Sequence, residues 1–144
     1  MLLEQFRPGV MDRLVLGPAV MLALCSIMGW SQRGPPADVA AHDLNYQAQT
    51  GMLGLTTGAD GVPGLPSALV ADIGGGAYPG MMNILLALHA RESDGRGRHL
   101  DIARADNLLR SCTGAWAMAL RGGTPRCQVY RTLDGHFLAV APLE

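Results

Sequence analysis

Ala71-Asp72-Ile73-Gly74-Gly75-Gly76 leads out of residues 65–72 into a run where Met81, Leu85, Leu88 and their neighbours recur at helical spacing as far as Arg91. That pattern predicts a loop entering a long helix. Asp94-Gly95-Arg96-Gly97 breaks the helix, residues 99–103 alternate as a strand does, and residues 106–120 are helix-like with apolar side chains nearly all round. Helix, strand and helix in succession predict a helix-rich α/β fold.

Toward the N-terminus, Pro8 at a first helical position suits a short helix over residues 9–14, and Pro18 suits a second over 19–24. Residues 27–30 read as a truncated strand, and no strand is expected ahead of the first helix. Residues 31–41, with Pro35 and Pro36, read as a loop leading to the polar, turn-like cluster Ala41-His42-Asp43-Leu44-Asn45-Tyr46, and a second Gly/Pro-rich loop covers 56–66. Toward the C-terminus, Gly122 and Gly123 end the last helix. Residues 129–132 and 137–141 flank Leu133-Asp134-Gly135, whose Asp-Gly is the strongest hairpin signal in the chain. The expected organisation is one region over 1–123 and a second, opening with the hairpin, over 124–144.

Acidic and basic residues nearly balance at a formal net charge of −1, which speaks against a nucleic-acid partner. Every basic residue is Arg, so any phosphate contact is a guanidinium contact. Cys25, Cys112 and Cys127 have no CxxC spacing, and His42, Asp43, His89, His99 and His136 match no ligand pattern; neither a disulfide framework nor a metal site is expected. The apolar stretch 14–30 is interrupted by Gly17, Pro18 and Ser26 and lacks a flanking basic cluster, so it reads as buried structure rather than a membrane span, in a cytoplasmic protein.

Two residues stand out chemically. His42 lies in the polar cluster, and Asp72 lies just ahead of three glycines whose missing Cβ atoms let backbone approach a ligand, with helix-start N–H groups favouring negative charge. On these signals alone a surface or hydrogen-bonded structural histidine and a helix-capping or turn-forming aspartate are the commoner readings.

Several segments together resemble the class III CoA-transferase (CaiB/BaiF) family, in its α-methylacyl-CoA racemase subgroup. Phe6-Arg7-Pro8-Gly9-Val10-Met11-Asp12-Arg13-Leu14 resembles the family's FRPGVMERL segment, and Gly29-Trp30-Ser31-Gln32 to Gly34-Pro35 its GWGQxGP loop. Residues 41–46 resemble GHDxNY with Ala41 in place of glycine, residues 71–76 resemble ADxxGGG, and the stretch from Ala87 to Asp101 resembles ALxxRxxxGxGxxxD. Val129-Tyr130-Arg131-Thr132 to Asp134-Gly135 and the closing Leu143-Glu144 match the last segment. The chain departs from the pattern between Pro18 and Gly29, where it is several residues shorter.

The resemblance implies part of the class III CoA-transferase fold: a Rossmann-like large domain lacking its first strands, plus the β-hairpin that begins the small domain. It further implies an acyl-CoA substrate with coenzyme A as part of that substrate and no separate cofactor, and an interlocked homodimer in the full-length protein. His42 and Asp72 match the two racemase bases, with Glu144 supporting His42. Arg7, Arg13 and Ala41, Asp43, Leu44, Asn45 and Tyr46 match CoA-binding positions, and Gly74, Gly75 and Gly76 would steady the enolate oxygen. Two bases suit inversion at an acidic carbon, since one takes the proton from one face and the other returns it to the opposite face. The same family also holds CoA-transferases, in which the residue matching Asp72 is a nucleophile; a CoA-binding module without catalysis is the third reading.

Overall fold

The computed structural model describes residues 1–18, 23–58, 60–120 and 128–140, without the side chains of 114–120 and 128. Two compact units divide the chain, Met1–Ser111 and Cys112–Glu144.

The first unit is built on a parallel sheet of β1 (Leu2–Glu4), β2 (Ala23–Met28) and β3 (Arg98–Ala103), in that spatial order. Leu3 pairs with Cys25, and Cys25 in turn with Leu100. A central parallel strand is covered on both faces, so it shows no polar alternation; Leu24, Cys25 and Ser26 are all essentially inaccessible. Burial, aided by the negative charge of Glu4, pushes the Cys25 thiol up from its ordinary range. Here the structure corrects two expectations. A strand does precede the first helix, and residues 23 and 24, assigned by the sequence to a helix over 19–24, belong to β2; residues 19–22 lie outside the described residues. A continuous apolar run carries no period with which to tell a buried strand from a buried helix.

Helix α1 (Val10–Arg13) follows Gly9, whose φ of 76° is a left-handed conformation that glycine adopts without a Cβ penalty. Helix α2 (Asp43–Gln49) replaces the expected turn at the polar cluster. Its start is held by Asn45, whose side-chain oxygen accepts the His42 N–H at 3.0 Å, and a 3₁₀ turn, Met52–Thr56, follows it. Helix α3 (Tyr78–Asp94) is entered through a π-helix, Ala71–Ala77, where the sequence predicts a loop. Pro79 explains the widened turn. In a regular α-helix its missing N–H would leave the Gly75 carbonyl unpaired and its ring would press on that carbonyl; Asn107 Nδ2 donates to this oxygen at 2.9 Å. Gly95, at φ 68°, ends α3 and its N–H returns to the Arg91 carbonyl at 2.9 Å. Met81, Met82, Leu85 and Leu86 on α3 are each more than half exposed, so the apolar content of this helix is largely not buried within the unit.

Helix α4 (Arg104–Leu120) starts directly from the last residue of β3, two residues before the expected boundary. In the second unit, β4 (Gln128–Arg131) and β5 (Phe137–Val140) form the expected antiparallel hairpin. Its turn uses Gly135 at φ 87° and a Thr132 N–H to His136 carbonyl bond of 2.9 Å. Among the described residues no helix is long and apolar enough to cross a membrane.

Leu24 is 1% exposed in the central strand. Leu24→Ala is therefore expected to cost about 2–5 kcal/mol, through lost transfer energy and an incompletely filled cavity. Urea denaturation of the two proteins measures this as a lowered midpoint at unchanged slope.

Candidate active site

Two cavities open where the parallel strands end, the place where open α/β sheets present ligands. The first, of about 230 Å³, is bordered by Arg7, the end of β2 at Met28, Gly29 and Trp30, and by His42, Tyr46 and Arg104. The second, of about 340 Å³, is bordered by Leu3, Glu4, Ile27, Asp72, Ala77 and Arg104. Gln5, Ile27 and Arg104 belong to both walls, and of the three only Arg104 is charged. His42 and Asp72 thus face adjacent cavities rather than a single one.

The His42 side is organised by the first turn of α2. His42 is exposed at the N-cap, whereas the next residue, Asp43, is 6% exposed and Tyr46 is 3% exposed. Tyr46 donates from its hydroxyl to the Ala41 carbonyl at 2.7 Å, and its ring meets Trp30 edge-on at a centroid distance of 5.4 Å. Burial pushes the Tyr46 phenol up, with the Arg104 guanidinium pulling against that shift; the proton that bonds Ala41 is retained. Gly29 makes this arrangement possible, since a Cβ there would stand 1.9 Å from the Tyr46 oxygen.

The Asp72 side is tied to His42 through Asp43. One Asp43 oxygen accepts the Asp72 N–H at 2.7 Å, and the other accepts the Gln47 amide. Asp43 thereby caps the π-helix from a separate element, and a carboxylate at a helix start also complements the dipole. The Asp72 carboxylate stands 3.2 Å from Arg104 Nε, a partly buried ion pair in which that N–H is not aligned for a hydrogen bond. Gly75 and Gly76 admit Arg104: a Cβ at Gly75 would lie 2.4 Å from the Arg104 carbonyl oxygen, and one at Gly76 would lie 3.1 Å from Cγ and Nε.

The residues expected at the site fall in different places. His42, Ala41, Tyr46 and Arg7 border one cavity and Asp72 the next. Asp43 and Asn45 act within the protein as caps, Leu44 is exposed on α2, and Arg13, exposed on α1, lies outside both linings. Gly75 and Gly76 are buried against Arg104 inside helical backbone, so they do not form the open helix start that the sequence predicts; Gly74 has room around it. Glu144 lies outside the described residues. Arg104 was not singled out by sequence. One signal for it existed: a cation at the first residue of a helix opposes the helix dipole and asks for a compensating partner.

A sequence model of CoA-transferase family III matches residues 1–144. The chain belongs to that family. It is 34% identical to an α-methylacyl-CoA racemase of Mus musculus over 99% of its own length and 42% of the relative's. It is 37% identical to an acetyl-CoA:oxalate CoA-transferase of Acetobacter aceti over 75% of the chain and 29% of that protein. The crystal structure of Rv3272 from M. tuberculosis superimposes with a TM-score of 0.80 at 26% identity, covering 96% of this chain and 40% of the other. The chain spans about two-fifths of the length of such relatives, and its sheet and helices are part of the class III CoA-transferase fold.

Gly75→Ala is expected to lower stability by about 1–3 kcal/mol, because its methyl group meets main chain that cannot swing aside. Gly74→Ala, whose nearest neighbour is Val70 Cγ1 at 3.9 Å, is expected to be neutral or to stabilise by about 0.5–1 kcal/mol. Parallel thermal melts of the two variants test the contrast.

Proposed function

We propose that this chain carries the proton-transfer chemistry of an acyl-CoA racemase or epimerase acting on 2-methylacyl-CoA thioesters. The observation that carries the reading is the 2.7 Å bond from the Asp72 N–H to Asp43, which fixes the backbone of one candidate base to the residue following the other. Similarity to the mouse racemase along nearly the whole chain supports the same reading. The thioester would lie across the wall between the two cavities. One of His42 and Asp72 removes the α-proton, an enolate forms, and the other delivers a proton to the opposite face. Arg7 borders the His42 cavity and supplies a guanidinium for a CoA phosphate, with Arg13 as the second candidate. Coenzyme A enters as part of the substrate, and Glu144 supports His42. A cytoplasmic homodimer completes the proposal.

The similarity to an oxalate CoA-transferase favours a second reading, in which Asp72 attacks the thioester carbonyl, expels CoA thiolate and becomes an acyl anhydride. A noncatalytic CoA-binding role is the third. His42 separates the first two, since a transferase needs no second base.

Incubation of the protein with a 2-methylacyl-CoA in D₂O, followed by NMR at the α-carbon, tests the proposal. Deuterium uptake is expected in the wild type, falling by about 10²-fold or more in His42→Ala and in Asp72→Ala, as loss of a positioned acid or base does. Uptake retained in the double variant overturns it. A hydroxylamine-trapped acyl group on Asp72 assigns the transferase reaction instead, and CoA binding without uptake assigns the binding module.

A further inference from the structure

We infer that the Arg104 guanidinium binds the carbonyl oxygen of the bound thioester and balances the negative charge that develops there. This rests on the acyl-CoA reading above. Whether the α-proton leaves or the carbonyl is attacked, charge accumulates on that oxygen, and a site must present fixed donors to it. The triple glycine cannot serve as an open amide cradle at Gly75 and Gly76, because both are buried in helical backbone against Arg104.

Arg104 occupies the needed place. It borders the His42 cavity and the Asp72 cavity alike, so it stands in the wall that a thioester reaching both bases would have to cross. Its side chain is 21% exposed, which leaves the charge partly unscreened yet reachable. Nε stands 3.2 Å from the Asp72 carboxylate, and the other four of a guanidinium's five N–H donors sit on its two terminal nitrogens.

Three elements hold this residue in place. Gly75 and Gly76 give it room, the Ala105 N–H bonds the Gly29 carbonyl at 3.0 Å, and Asn107 bonds the Gly75 carbonyl at 2.9 Å. A cation fixed before the substrate arrives stabilises developing charge without reorganising. Of the three residues that border both cavities, Gln5, Ile27 and Arg104, only Arg104 carries the positive charge that a developing oxyanion requires.

The test compares binding of a 2-methylacyl-CoA with its thioether analogue, in which a methylene replaces the carbonyl, by calorimetry on wild type, Arg104→Lys and Arg104→Met. Wild type is expected to prefer the thioester about tenfold, as a charge-assisted hydrogen bond provides. Arg104→Met is expected to bind both alike and Arg104→Lys to fall between. Because each ratio is taken within one variant, a lowered folded fraction does not alter it. A wild-type ratio in Arg104→Met, or no preference in the wild type, overturns the inference and leaves the acyl-CoA reading standing. Failure of the wild type to bind either compound overturns both.

Discussion

The close approach of two glycines to the first residue of α4 is the constraint on which the rest of the site depends. At Gly75 the main chain of the π-helix comes so near the Arg104 carbonyl that a side chain of any size is excluded. This contact sets the distance between the helix carrying Asp72 and the end of β3, and hence the position of the guanidinium relative to the carboxylate. Pro79 contributes from within α3, since the carbonyl it leaves without a regular partner is the one Asn107 of α4 takes up. One irregular turn therefore joins α3, α4 and the sheet edge.

Asp43 makes the complementary link. A buried carboxylate with both oxygens engaged costs little only when its partners are strong donors; here they are a main-chain N–H at a helix start and the Gln47 amide. Its sequence neighbour His42 is exposed at the start of α2, so the same peptide presents one side chain inward as structure and the other outward toward a cavity. Membership of CoA-transferase family III gives these residues a chemical setting.

Much of this was legible in the residues. The long helix, β3, the hairpin at Asp134-Gly135 and the α/β class all follow from period and turn chemistry, and the succession of motifs pointed to the family. Three features were not legible, each for a physical reason. The central strand β2 is apolar but for Ser26, and a strand buried on both faces carries no alternation. The turn-like cluster at 41–46 becomes a helix because Asn45 caps it and Tyr46 packs beneath it, tertiary effects that local polarity conceals. The glycines look like a ligand loop because what they accommodate, Arg104, arrives from far along the chain. For the site itself, the candidates at 7, 42 and 72 fall on neighbouring cavities, whereas Asp43 and Asn45 prove to be caps.

The order of the sheet also governs how this unit can assemble during synthesis. β2 lies between β1, which precedes it, and β3, whose residues Arg98–Ala103 emerge only after the whole of α2 and α3. Until then the central strand has one free edge, and a parallel pair as short as β1–β2 is not self-sustaining. On the ribosome, the nascent chain would carry Leu24 to Met28 with the edge that faces β3 open to other chains until β3 closed it.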